Sequence, residues 1–389
     1  MLIRTFSLLM MAAFSAMLGL GIISPFLPEL VEKHGANGFW IGMIFAGFGI
    51  SRGIITPFIG RISDRVGRKI FVVLGLLIYV GVSLLYPKAD SVYALTLVRL
   101  IHGLSAGMIL PIVMAYAGQF SRDGQEGLTT GAFNMVLYLG LATGPLIGGE
   151  VAERYGFNTV FYLMAALGAI TLFLVIFFLP EIKGDGPGRE RPQIPLLSIF
   201  HKEYYIRVVL IMSFISVAIF AVFMSFLPSI AIKDFVDMIH IGIIMSTAIL
   251  TAGLLQIPFG KLADSYAQLG KILQSSVGIA ISMLALSVLP LCPDFRALFL
   301  AGFFMGLGAA IYGPALSGIS VKIGHKIGMG SWMGVFWAVM SIGLVSAPLI
   351  AGIIMDRFGI NSVFYSFGIF AFFALLFCAY YIRKRRYEH

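Results

Sequence analysis

The 389-residue sequence predicts an all-α membrane protein of twelve transmembrane helices in two pseudo-symmetric six-helix bundles. Three observations predict it: a composition too apolar for a water-soluble domain, twelve apolar runs long enough to cross a bilayer, and an internal repeat. Hydrophobic residues make up 59% of the chain and charged residues 12%, with a mean hydropathy of +0.97. A soluble domain of this length would have to present far more polar surface. The 45 glycines suit helices that approach one another closely inside a bilayer. The formal charge of +9 does not point to nucleic acid, because the cations lie in short connections between apolar runs. Cys292 and Cys378 lie at the end of one run and inside another, and read as small apolar packing residues.

A bilayer core takes about 20 apolar residues per helix. The candidate spans are 5–27, 39–59, 70–86, 92–117, 127–149, 158–180, 206–230, 241–260, 272–291, 296–320, 331–353 and 361–382. Arg4 precedes a first run that continues past Ile23 without a small-residue cleavage site, so it reads as a membrane helix and not as a cleaved leader. The longest polar gap, 181–205, contains Gly184-Asp185-Gly186-Pro187-Gly188. It divides the chain into an N-terminal bundle (1–180), a cytoplasmic linker (181–205) and a C-terminal bundle with a basic tail (206–389). With the N-terminus placed in the cytoplasm, 19 of the 27 Lys and Arg residues fall on the inside, 6 outside, and Arg52 and Arg99 within spans. That bias places both termini in the cytoplasm of a cell whose plasma or inner membrane holds the chain.

The halves repeat. Gly144-Pro145-Leu146-Ile147-Gly148-Gly149 recurs 203 residues later as Ala347-Pro348-Leu349-Ile350-Ala351-Gly352. Glu153-Arg154-Tyr155-Gly156-Phe157-Asn158 recurs at the same offset as Asp356-Arg357-Phe358-Gly359-Ile360-Asn361. Gly103-Leu104-Ser105-Ala106-Gly107 maps onto Gly306-Leu307-Gly308-Ala309-Ala310. Duplicated six-helix halves place a substrate site near the bilayer midplane, between halves that rock for alternating access. Such a chain already supplies both halves of a pathway, which predicts a monomer.

Between the second and third spans lies the charged segment Gly60-Arg61-Ile62-Ser63-Asp64-Arg65-Val66-Gly67-Arg68-Lys69. It reads as a ten-residue turn, with a decayed partner at Gly260-Lys261-Leu262-Ala263-Asp264. The positive-inside rule accounts for the cations but not for Asp64 or the flanking glycines. The pattern G-x-x-x-D-R-x-G-R-K between two membrane helices resembles the loop signature of the major facilitator superfamily, whose members are secondary transporters of small solutes. The resemblance covers the whole chain. It implies the major facilitator fold and a gating loop formed by Gly60, Asp64, Arg65, Gly67, Arg68 and Lys69, in which Asp64 bridges toward the eleventh helix and helps hold the outward-open state.

In the fifth span, Gly140, Gly144, Pro145, Gly148 and Gly149 resemble the G-x-x-x-G-P-x-x-G-G element of proton-driven drug exporters in that superfamily. Read from the residues alone, the same pattern is a kinked packing face. Arg99-Leu100-Ile101-His102-Gly103-Leu104-Ser105 is similar to the family pattern R-x-x-Q-G-x-G, with His102 in place of glutamine and Ser105 in place of the inner glycine. The equivalent of Arg99 in the second half is Gly302, so the charge is not part of the repeat. An ionisable residue inside a bilayer is costly and marks a pathway or a cavity. Arg52 and Arg99 therefore join His102, Asn134, Tyr138, Gln256 and Tyr312 as candidate pathway residues; Arg52 also lies close enough to an interface to snorkel. All 18 acids fall in loops or at helix ends, the deepest being Glu150. Unpaired arginines without a buried acid favour an anionic or neutral substrate. Protons would then be carried by His102, since a histidine can titrate near physiological pH, or by Glu150.

No metal-spaced histidine cluster, buried acid pair or P-loop occurs, which argues against an enzyme, a metal site, a bound cofactor and ATP-driven transport. No loop has room for a sensor domain. The expectation is a proton-coupled exporter of drugs or metabolites, with an uptake permease for an organic anion or sugar as the alternative. The partners expected are a small-molecule substrate, the proton and the lipid bilayer.

Overall fold

The computed structural model describes residues 2–119, 126–181, 204–233, 237–327 and 329–386, and among these there is no strand. In hydrocarbon no water can satisfy a bare amide, so an isolated span has to bond its backbone internally and becomes a helix. The chain forms two compact units.

Unit 1 comprises Met1–Arg189 and Val236–Ser246. Its helices are α1 (Leu2–Ile23), α2 (Leu27–Lys33), α3 (Gly38–Val66), α4 (Lys69–Leu85), α5 (Val92–Gln119), α6 (Glu126–Tyr155) and α7 (Phe157–Phe178), with a 3-10 turn at Tyr86–Lys88. α1 packs mainly on α6 and α7, α3 on α5, and α4 on α5 and α7. Unit 2 comprises Glu190–Phe235 and Thr247–His389. It holds α8 (Tyr204–Lys233), the greater part of α9 (Met238–Ser265), α10 (Gln268–Val288), α11 (Phe295–Ile327), α12 (Met329–Phe358) and α13 (Ile360–Arg386). Here α10 packs on α11, and α8 against α12 and α13. All of these helices except the short α2 are long and apolar enough to cross a membrane, giving twelve spans.

Most helices overrun the expected spans, but the first stops short of the expected 27. The first ends at Ile23 and is followed by the unanticipated α2, which carries Pro28 in its first turn, where its missing N–H costs nothing. The charged segment is not a ten-residue turn. α3 continues to Val66 and α4 begins at Lys69, so only Gly67 and Arg68 interrupt the helices. Charged residues are sound helix formers once they leave the bilayer, and the reversal needs a single glycine: Gly67 sits at φ 116°. That region is closed to most side chains.

The two halves repeat in three dimensions. A β-carbon at Gly140 would lie 2.7 Å from the Phe14 carbonyl oxygen, and one at Gly343 would lie 3.0 Å from that of Phe214. Gly75 approaches the Ser105 carbonyl and Gly278 that of Gly308, at 3.1 and 2.6 Å on the same construction. The turns that reverse the chain after α6 and α12 match as well. Gly156 (φ 87°) donates to the Ala152 carbonyl at 3.0 Å, and Gly359 (φ 82°) to that of Met355 at 2.8 Å.

Candidate functional site: a buried arginine cluster in unit 1

Arg99 and His102 stand one turn apart on the same face of α5. Gly103 lets that face approach α3, where a β-carbon would run into the Phe48 carbonyl and the Ser51 hydroxyl. Arg99 is 1% exposed. Its Nε donates to the Ile44 carbonyl at 3.3 Å, and the guanidinium lies over two α3 rings, 4.8 Å from the Phe48 centroid and 5.5 Å from that of Phe45. Aromatic faces attract a cation by about 0.5–1 kcal/mol each when exposed and about 2 when desolvated. No carboxylate pairs with Arg99 among the described residues. Its Nη1 is buried without a hydrogen-bond partner.

His102 is also 1% exposed. Its Nδ1 lies 3.2 Å from the Tyr86 hydroxyl, in the 3-10 turn that ends the third span. The imidazole meets the rings of Phe48, Tyr79 and Tyr86 edge-on, and Tyr86 stacks on Phe161 of α7. The result is an arginine, a histidine and a phenol side by side in an aromatic cage built from α3, α4, α5 and α7. Unit 2 has no counterpart, because the positions 203 residues on from Tyr86, Arg99 and His102 are Leu289, Gly302 and Met305.

Of the other expected pathway residues, Arg52, Tyr138, Gln256 and Tyr312 do not join this cluster. Arg52 is half-buried on α3, and its carbonyl accepts from Thr56 Oγ1 at 2.8 Å. Tyr138 is half-buried on α6. Gln256 and Tyr312 belong to unit 2: the Gln256 amide lies beside Gly313, and the Tyr312 hydroxyl donates to the Ser216 carbonyl at 3.4 Å. Gly60, Asp64, Arg65 and Asn134 lie outside the residues whose side chains are described. Glu150 lies inside α6 and is ion-paired with Arg154 one turn later.

The rest of the charged segment is anchored by Glu181, which nothing in the sequence sets apart from the other acids at span ends. Glu181 Oε1 accepts from the Arg68 and Lys69 amides at 2.9 and 3.3 Å, and Lys69 Nζ donates to the Ile176 carbonyl at 2.8 Å. A carboxylate therefore caps the N-terminus of α4, where bare amides and the helix dipole favour negative charge. The glycines of the fifth span face α1: β-carbons at Gly144 and Gly148 would meet the backbone of Gly21 and Ile22. Gly149 borders Met238 and Ile239, at the start of α9 that belongs to unit 1, where Ser246 Oγ donates to the Ala142 carbonyl at 2.5 Å. Gln274 was also missed. It is buried on α10, and its Nε2 donates to the Phe259 and Ile311 carbonyls at 3.0 and 3.1 Å. Cys292 and Cys378 are buried and form no disulfide. No group of three or more His, Cys, Asp or Glu suited to a metal ion occurs among the described residues.

Comparison with known proteins agrees with this architecture. The family model described as Major Facilitator Superfamily matches residues 9–235 and again 209–389. An MFS-type transporter of Methanocaldococcus jannaschii, MJ1560, is 27% identical over 363 residues, covering 92% of this chain and 93% of that protein. The quinolone resistance protein NorA of Staphylococcus aureus (strain COL) is 27% identical over 348 residues, covering 88% of each. Among solved structures, the nucleoside transporter NupG superimposes with a TM-score of 0.80 at 14% identity, covering 96% of this chain and 99% of that one. The human organic anion transporter MFSD10 (TETRAN) gives 0.67 at 18% identity, covering 97% and 99%. With a family match over both repeats and twelve spans in two related halves, the chain belongs to the Major Facilitator Superfamily and is a multi-pass membrane transporter of that family.

Proposed function

We propose that the chain is a secondary active transporter that exports drug-like or metabolite molecules by alternating access in exchange for protons. The observation that carries this reading is the Arg99–His102–Tyr86 cluster. A cation inside a membrane bundle is expensive, and this one has no carboxylate among the described residues to offset the cost. It also interrupts the internal repeat, so duplicated scaffolding does not explain it. Arg99 is sealed from open space, which suits a group that acts through its neighbours as the bundle moves better than one that touches cargo. His102, beside the Tyr86 hydroxyl, is the adjacent imidazole through which proton coupling would run. The relation to NorA, named for quinolone resistance, supports export.

On this reading, Asp64 with Arg65, Arg68 and Lys69 gates the pathway, and the glycine–proline element of α6, which packs on α1, is the counterpart of the element it resembles in proton-driven exporters. Arg52, Asn134, Tyr138, Gln256 and Tyr312 line the route. The transporter works as a monomer in the plasma or inner membrane, with 181–205 joining two bundles and both termini in the cytoplasm.

The test is the purified protein in liposomes holding a pH-sensitive dye, under an imposed proton gradient, challenged separately with cationic drugs, neutral drugs, organic anions and sugars. Proton movement evoked by drugs, reduced at least tenfold in Arg99→Ala and not restored by Arg99→Lys, is the expected result. Unaltered flux in a well-folded Arg99→Ala protein overturns the role of the cluster. A second reading, uptake of an organic anion or sugar, draws on the two intramembrane arginines and the lack of a buried acid among the described spans. Proton movement with those pools alone would establish it instead.

A further inference from the structure

Between α8, α12 and α13 of unit 2 lies a cavity of about 310 Å³ lined by Leu210, Ile211, Phe214, Ile215, Val339 and Phe370, with no polar surface. From this cavity and its cationic mouth we infer that unit 2 carries a site for one anionic phospholipid, the acyl chain in the groove and the headgroup at Arg207.

The geometry follows from helical spacing. Leu210, Ile211, Phe214 and Ile215 come three, four, seven and eight residues after Arg207 on α8, so all share its face. They extend about 12 Å along the helix at 1.5 Å per residue. On α13, Phe370, Phe377 and Tyr381 share one face in the same way, spaced by seven and four residues. The two faces meet. Phe214 and Phe370 pack edge to face at 6.4 Å, and Arg207 Nη1 donates to the Tyr381 hydroxyl at 3.2 Å. Phe377 stacks on Tyr381 at 6.0 Å. The third wall is α12, where Gly343, one turn after Val339, brings the helix against the Phe214 backbone.

The groove is therefore a greasy slot that opens, at one end, beside an exposed guanidinium. Arg207 and Arg383 are both exposed at this end of the unit, and α13 closes with the sequence Arg383-Lys384-Arg385-Arg386. Small-molecule pockets run from about 300 to 1,000 Å³ and use a few polar groups to fix orientation. This slot has the smallest such volume and none of those groups. Phe370 remains 47% exposed along it. An apolar chain attached to a negative headgroup fits both parts, since basic clusters at a membrane surface select anionic lipids and an arginine fork suits phosphate oxygens.

The test is native mass spectrometry of the full chain in detergent, titrated with phosphatidylglycerol or with phosphatidylcholine of the same acyl chains. One phosphatidylglycerol should be retained at least fivefold more strongly than phosphatidylcholine. The preference should fall below twofold in Arg207→Gln and in Arg207→Gln with Arg383→Gln, while Val339→Trp, which fills the slot, should lose both lipids. As a check that needs no variant, vesicles of phosphatidylcholine with phosphatidylglycerol should raise the thermal midpoint of the wild-type protein above that in phosphatidylcholine alone, and 0.5 M salt should shrink the difference. Equal retention of the two lipids by wild type would make the slot a plain acyl-chain groove and overturn the inference. A preference that survives both arginine variants would overturn it too. Neither measurement needs a transported substrate, so its outcome is separate from that of the transport assay.

Discussion

Arg99 is held by aromatic faces and one carbonyl where an acid might be expected, and this explains why its identity should matter more than its charge. Lysine would keep the charge but lose the planar face that lies over Phe45 and Phe48. The sequence marked Arg99 and His102 because ionisable residues inside apolar runs stand out. It did not mark Tyr86, whose position beside Pro87 at the end of a span reads as an interfacial aromatic. Only folding brings its hydroxyl to the imidazole. Glu181 was hidden for a related reason: it is one more acid at a span end until α4 is seen to start 112 residues earlier in sequence and directly beneath it. A titration can be predicted outside the bilayer. Glu32, on α2, keeps an exposed side, yet partial burial of its carboxyl and the neighbouring Glu29 carboxylate push its pKa up. A raised carboxyl pKa means that the folded chain binds the proton more tightly than the unfolded one. Stability therefore falls as pH rises from the ordinary carboxylate range through the raised value. Glu32→Gln should raise the thermal midpoint at pH 7 and leave it unchanged at pH 4; a midpoint unchanged at both would show that the carboxyl carries no strain.

At the scale of elements, close helix approach decides which glycines are replaceable. A β-carbon at Gly144 would lie 2.6 Å from the Gly21 Cα, backbone against backbone, with no side-chain end to swing away. At Gly81, on α4, nothing lies within 4 Å. Gly144→Ala should therefore lower stability by about 1–3 kcal/mol, the usual cost of overpacking. Gly81→Ala should be neutral or stabilising by up to about 1 kcal/mol, because alanine favours the helix. Thermal unfolding in detergent checks the pair, and equal effects at the two sites would refute the packing argument. The motif in the fifth span is thus at least a packing face, as the residues alone also suggested. The helix ends were less legible than the helices. Hydropathy reports where lipid stops, whereas α3 stops where Gly67 reverses the chain, two turns later.

For the whole molecule, the repeat makes a prediction about topology. Asp90 and Tyr266 are exposed in connections on opposite sides of the membrane if both termini face the cytoplasm. The native cysteines are buried and should react little. A membrane-impermeant maleimide should label Asp90→Cys in intact cells, and Tyr266→Cys only after permeabilisation. The reverse pattern would invert the orientation. Duplication also separates what the two halves share from what one half has alone. Gly140 and Gly343 do the same packing in each half, whereas the arginine cluster exists in one half alone.

The sequence by itself determined that the chain is helical, that it crosses a membrane twelve times and that it consists of two related halves. Each of these depends on local hydropathy or on self-similarity, which need no knowledge of neighbours. The tertiary structure alone decided that Arg99, His102 and Tyr86 share one cage, that Glu181 caps α4, and that Arg207 meets Tyr381 across α8 and α13, the helices that wall an apolar groove with α12. Those relations depend on the rotation of each helix about its axis. Rotation is set by packing between helices, and in chains apolar on nearly every face hydropathy does not reveal it.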